Sequence, residues 1–272
     1  LHPEFDRRRT QAMTFDMTTY RRLSEKLEFD DIDFSAFHRR PLGPEALRCL
    51  RSMHDVENHT ICYLRDVLVT RAHRDPEVTS FLTLWNYEEF WHGEAIAEVL
   101  EAHDECAGSG RIAALRQRLP RREAWKPLTF QLGSALTPHL TAVHMTWGAV
   151  NEWTTQAAYA RLAKLADHPT LTVLLRRVMR QEGRHIDFYA AQARSRLAHS
   201  RAAQRLTRWA LRHFWAPVGS GVIPDQEVDF LRSYLFGDDD GLSVADRIDR
   251  RVDRLPGLGG LNLLRGAVSA AA

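Results

Sequence analysis

The stretch Arg180-Gln181-Glu182-Gly183-Arg184-His185 places a carboxylate and an imidazole three residues apart within a segment of strong helical periodicity. Along an α-helix, three residues rotate through about 300° and rise about 4.5 Å, so Glu182 and His185 leave one face as neighbours. One metal ion could take both. Alone the pair is weak evidence, because a chain with 13 histidines yields roughly one Glu-X-X-His by composition. Its setting adds to it: Leu175, Val178, Glu182, His185 and Tyr189 form one stripe of a helix opening at His168-Pro169. Charged groups on an apolar stripe call for partners.

Partners recur upstream at the same helical phase. Asp75-Pro76 supplies an N-cap and a first-turn proline for a helix reaching about His103, whose stripe reads Leu82, Trp85, Glu89, His92, Ile96 and Leu100. A second Glu-X-X-His therefore lies on an apolar face. From Pro44, apolar residues at Leu47, Leu50, Met53, Ile61, Leu64 and Leu68 predict one helix of about 28 residues with Glu57 on its stripe. A further helix from about Pro138 to Ala166 carries Met145, Gly148, Glu152, Thr155, Tyr159 and Leu162 on one face. The preceding residues 128–136 read as helical and continuous with it across a kink at Pro138. Four helices thus each turn one glutamate toward the core, and two of them add a histidine.

Elsewhere the patterns are less pointed. Residues 1–43 read as an arm that packs Phe5, Phe15, Tyr20, Phe29, Phe34 and Phe37 on the main body, with a short helix near 17–27. Residues 104–127, rich in Gly, Pro and Arg, read as a connection holding one short helix near 110–119. Beyond residue 199 come helices at 201–214, from Pro224 to about Leu235, and from Ser243, where Ser243 and Asp246 resemble a capping box; the Gly- and Ala-rich tail is expected to be peripheral. No strand-like alternation occurs, so the fold class is all-α.

Bulk properties bound the function. A net charge of +2 with 26% charged residues gives no reason to expect nucleic acid. Cys49, Cys62 and Cys106 lack paired spacing, which excludes a disulfide framework or zinc knuckle and fits a reducing cytoplasm. No apolar run reaches the roughly 20 residues of a transmembrane span, and Asp6-Arg7-Arg8-Arg9 has no apolar core behind it, unlike a secretory signal. Four carboxylates balance two divalent cations, whereas without metal they repel and some must protonate. Oxygen ligands with two imidazoles suit iron or manganese better than zinc.

The ligand order Glu57, Glu89/His92, Glu152, Glu182/His185 resembles the ferritin-like di-iron carboxylate superfamily over about residues 44–195. The resemblance implies one ferritin-like domain: an N-terminal arm (1–43), a metal-binding four-helix bundle (44–198) and additional C-terminal helices (199–272). Within the superfamily the chain looks like the oxygen-activating branch, whose members commonly set an acid before each Glu-X-X-His to bond the opposite histidine. Glu88 matches that role for His185; Gln181 stands where the acid facing His92 is common, which alters ligand tuning there. Arg184 matches an arginine often found beside the second histidine and is placed to pair with Glu88. Thr155 matches a threonine that acyl-acyl-carrier-protein desaturases place three residues after the third glutamate. Ile96 stands where ribonucleotide reductase small subunits carry a radical tyrosine, and Val178 where arylamine N-oxygenases carry a third histidine.

The function so implied is an O₂-dependent di-iron oxidase or oxygenase that desaturates or hydroxylates an apolar, fatty-acyl-like substrate, with Thr155 assisting at the oxygen site. Its cofactor is two iron ions, with a manganese–iron pair as the variant, and O₂ is the co-substrate. Electrons must come from a ferredoxin or reductase, since no flavin, nicotinamide or iron–sulfur motif occurs. An acyl carrier protein and a homodimer are the other partners considered. Amine N-oxygenation on the same site, ferroxidase or iron-handling activity, and a metal-free scaffold are the alternatives. Three further readings are bland. Trp85, Trp91, Trp147, Trp153 and Tyr159 read as core aromatics. Arg194, Arg196, Arg201, Arg205, Arg208 and Arg212 read as a solvated face in preference to a docking surface. His139 and His144 read as structural. Gly183, costly inside a helix, is expected to relieve crowding beside the metals or let the helix deform.

Overall fold

The computed structural model describes residues 15–270, so Phe5 of the expected arm lies outside the described residues. Among those residues the chain is helical, without a strand. The arm forms α1 (Met17–Leu23) and α2 (Ala36–Arg39). The main body follows with α3 (Pro44–Glu57), α4 (Thr60–Leu68), a short 3₁₀ turn, α5 (Pro76–Glu101), α6 (Gly108–Arg118), α7 (Arg122–Leu136), α8 (Leu140–Ala166) and α9 (Pro169–Ala198). Last come α10 (Arg201–Phe214), α11 (Asp225–Phe236), α12 (Asp239–Asp253) and α13 (Leu263–Ser269). No helix of the described residues is long and apolar enough to cross a membrane.

The starts of the long helices follow local chemistry. Asp75 accepts hydrogen bonds from the Glu77 and Val78 amides at the head of α5, and Pro76 occupies its first position. Pro169 does the same for α9 behind His168. The arm packs as expected: Phe15 meets the edges of Phe81 and Phe188, and Tyr20 and Phe37 are buried.

Four boundaries differ from the sequence expectation. The long helix from Pro44 is broken after Glu57, and α4 starts at Thr60. No glycine or proline marks that break. Asn58 turns back to donate to the His54 carbonyl (3.0 Å), and its amide occupies the space that a side chain at Gly93 of α5 would need. Second, α7 runs from Arg122 through Pro127, which costs it one backbone hydrogen bond. At Pro138 the chain breaks fully: Thr137 is extended, as a residue before proline prefers. Third, α12 is capped by Asp238, which accepts from the Gly241 amide at 2.7 Å, so Ser243 lies inside the helix. Fourth, the tail is not peripheral. Leu263, Leu264 and Val268 of α13 are buried, and Asp249 of α12 accepts from the Leu264 and Arg265 amides.

The most extensive helix contact is between α8 and α9. Gly148 permits it, because a Cβ there would overlap the buried ring of Tyr189. Gly148→Ala is expected to destabilise the protein by about 2 kcal/mol or more, read as a lower urea midpoint, since neither helix can retreat without opening the core. Arg161 ties the C-terminal helices onto α8, donating to the Leu235 carbonyl (2.8 Å) and pairing with Asp238 (2.5 Å).

Candidate metal centre

All six residues singled out by periodicity meet in one place. Glu57 ends α3, Glu89 and His92 lie on α5, Glu152 on α8, and Glu182 and His185 on α9; none exposes more than 6% of its surface. They fall into two overlapping groups able to hold a metal ion, one of Glu57, Glu89, His92 and Glu182, the other of Glu89, Glu152, Glu182 and His185. In each group one donor atom per residue lies within 4.8 Å of the others. Glu89 and Glu182 belong to both.

The imidazoles aim the same nitrogen inward. His92 Nδ1 lies 3.1 Å from Glu89 and 3.4 Å from Glu182; His185 Nδ1 lies 3.1 Å from each of those carboxylates and 4.0 Å from Glu152. Glu182 Oε1 is buried and accepts no well-formed hydrogen bond. A buried anionic oxygen in that state favours a cation beside it, so the residues could hold a metal ion.

The outward nitrogens are held in turn. His185 Nε2 meets Glu88 Oε2 at 2.6 Å, and Arg184 reaches the other oxygen of Glu88 at 3.0 Å. His92 Nε2 meets Gln181 Oε1 at 2.9 Å, so the amide occupies the place of the missing acid. The arm steadies both partners: Tyr20 donates to Glu88 (2.9 Å), and the Gln181 amide donates to the Glu25 carbonyl (3.1 Å). Two residues read from sequence as core aromatics also bond ligands. Trp85 Nε1 donates to Glu152 (3.0 Å), and the Tyr159 hydroxyl donates to Glu57. The signal for them was available, because a buried indole N–H or phenol on an apolar stripe needs an acceptor. Nothing in the sequence points Tyr20 at Glu88.

Electrostatics divide the carboxylates into two kinds. Burial and then the charge of Glu89 raise Glu57 well above the ordinary range, and burial with Glu182 and Glu89 does the same to Glu152. Burial also opposes ionisation of Glu89 and Glu182, but bonds from the two imidazoles more than offset it and leave both lowered. Reciprocally, burial works against His92 while its bonds to Glu182 and Glu89 raise it to about 10, and His185 is raised too. Two protonated glutamates, two carboxylates and two imidazoliums sum to zero charge. Four carboxylates, two neutral imidazoles and two divalent cations also sum to zero, so metal can replace protons without charging the interior.

Thr155 lies one turn beyond Glu152 and lines, with Glu57, a narrow apolar cavity of about 60 Å³. Its neighbour Thr154 bonds back to the Val150 carbonyl; Thr155 makes no such bond. Met53, Val56 and Ala158 wall one side of the cavity, and Val228, Leu231 and Leu264 of the C-terminal helices close the other.

Gly183 does not sit beside the donor atoms. It lines an outward cleft, and a Cβ built on it meets only Gln156, at 3.8 Å. Crowding at the metals is therefore not its reason, and α9 continues unbroken through it. Gly183→Ala is expected to raise stability by about 0.5–1 kcal/mol with metal content unchanged, measured by urea unfolding and elemental analysis. Compared as a whole chain, the protein matches no family model, no curated protein and no solved structure.

Proposed function

We propose that the chain belongs to the ferritin-like di-iron carboxylate superfamily, with α3, α5, α8 and α9 as its four-helix bundle, and that it is an O₂-dependent oxidase or oxygenase of an apolar, alkyl-chain substrate. One observation carries this reading: two buried metal-ligand groups sharing Glu89 and Glu182 abut an apolar cavity that Glu57 and Thr155 line. Two ferrous ions held by Glu57, Glu89, His92, Glu152, Glu182 and His185 would supply the redox chemistry that O₂ reduction and C–H oxidation require.

The protein's own part is positioning and exclusion. Tyr159 and Trp85 fix the two outer carboxylates, Glu57 and Glu152, each from a different helix than its own. Glu88 and Gln181 fix both imidazole planes, so the donor set is pre-organised before any ion arrives. The small volume and apolar walls suit an alkyl segment. Thr155 places a hydroxyl on that wall, where it can hold or pass a proton near Glu57. Because the cavity has a C-terminal wall, the helices beyond residue 200 belong to the active unit.

The test is to load the chain anaerobically with ferrous iron, add O₂ with acyl, amine or amino-acid substrates and the reduced donor ferredoxin, and follow O₂ consumption and products. Acceleration by acyl-chain substrates with a desaturated or hydroxylated product is the expected result. Acceleration by amines alone would reassign the substrate. No acceleration by any class, with iron oxidised all the same, would leave oxidation of iron itself as the activity.

A further inference from the structure

Five of the six arginines of α9 fall into two sets. Arg177, Arg184 and Arg196 each meet a carboxylate, from Asp31, Glu88 and Asp75. Arg180 and Arg194 instead face a cleft of about 600 Å³ between α8, α9 and α12, where Arg251 of α12 and Arg254, its C-cap, join them. None of these four guanidiniums makes an ion pair among the described residues, and Asp187 is the one acid lining the cleft. Four like charges around one concavity focus a positive potential that favours a multiply charged anion.

Gly183 now finds a role. It lies in the lining of this cleft, where a Cβ would meet only the Gln156 side chain, at 3.8 Å. Trp153, Ile186 and Ala190 add an apolar wall. The volume is that of an organic ligand well beyond a bare phosphate. Guanidinium forks match phosphate oxygens in pairs. Arg184 is excluded from the ligand set, being held by Glu88.

We propose that the cleft between α8, α9 and α12 binds an organic phosphate, with Arg180, Arg194, Arg251 and Arg254 taking the phosphate groups and Gly183 leaving room for the ligand's body. The site lies on a different face of α8 from the apolar cavity, and it does not depend on the di-iron reading.

The experiment is calorimetric titration of the iron-loaded full chain with ADP and with inorganic phosphate at physiological ionic strength, repeated on the metal-free chain. ADP is expected to bind saturably and more tightly than inorganic phosphate, with or without iron. Arg251→Glu/Arg254→Glu and Gly183→Met are each expected to weaken ADP by about tenfold or more. Arg205→Glu/Arg212→Glu on α10 makes the same charge change elsewhere and is expected to leave the affinity unchanged. Thermal midpoints of each variant within the wild-type range establish that the fold survives, and Arg180→Ala/Arg194→Ala serves where one does not. No saturable ADP binding overturns the proposal, as does equal weakening by the α10 pair. Binding of polyglutamate but not ADP, insensitive to Gly183→Met, also overturns it and assigns the surface to an acidic protein.

Discussion

Glu182→Ala and Glu89→Ala are each expected to strip the protein of both metals, whereas Glu57→Ala and Glu152→Ala each remove about one. After anaerobic iron loading and gel filtration, elemental analysis should find about two ions per chain in the wild type, near zero in the first pair and about one in the second. The difference follows from sharing: Glu89 and Glu182 stand in both donor groups, while Glu57 and Glu152 stand in one each. An equal loss in all four variants would show that the two positions fill only together. Circular dichroism separates loss of ligand from loss of fold. Truncating a shared carboxylate also leaves the imidazoles, now raised by those same groups, without their counter-charge.

Chelated protein is expected to be most stable in acidic solution, at about pH 4.5, and to weaken on both sides. Glu57 and Glu152 are raised in the folded state, so the stability they confer is complete below the unfolded value of 4.5 and is lost as pH climbs through their folded values. His92 acts in the same direction, its contribution complete below 6.5 and lost on the way to about 10. Glu89 and Glu182 are lowered, so theirs is complete above 4.5 and lost on acidification. Between about pH 6 and 9 the thermal midpoint of the chelated chain should fall by at least about 5 °C. Iron-loaded protein should show the reverse trend over that range, because ions replace the protons that alkaline solution removes. A chelated protein whose midpoint rises from pH 6 to 9 would contradict the assignment of protons to Glu57 and Glu152.

The sequence was most legible where it broke its own rule. A glutamate on an apolar stripe is costly, and four of them at matching helical phase, two with histidine at the next turn, stand out against hydrophobic periodicity. The long helices were legible for the same reason. What escaped was set by contacts between distant segments. The break after Glu57 depends on Asn58 lying over Gly93, and neither residue signals it alone. Tyr20 reaches Glu88 from an arm helix of seven residues, too short to have a register of its own. The tail looked peripheral by composition, yet Leu264 closes the apolar cavity, because burial there depends on α11 and α12 being in place first. Gly183 was conspicuous in the sequence, but Arg251 and Arg254, which line the same cleft, are supplied by the end of α12 and its C-cap.

The unlike partners of the two histidines, a carboxylate behind His185 and an amide behind His92, make the two halves of the centre chemically unequal. A carboxylate draws the imidazole proton toward itself and makes the inward nitrogen a stronger donor, and an amide does so far less. The position built on Glu152 and His185 should therefore fill first when metal is scarce. Supplied with two kinds of ion, such a centre has the means to sort them, each to its own side, in a way that two identical halves could not.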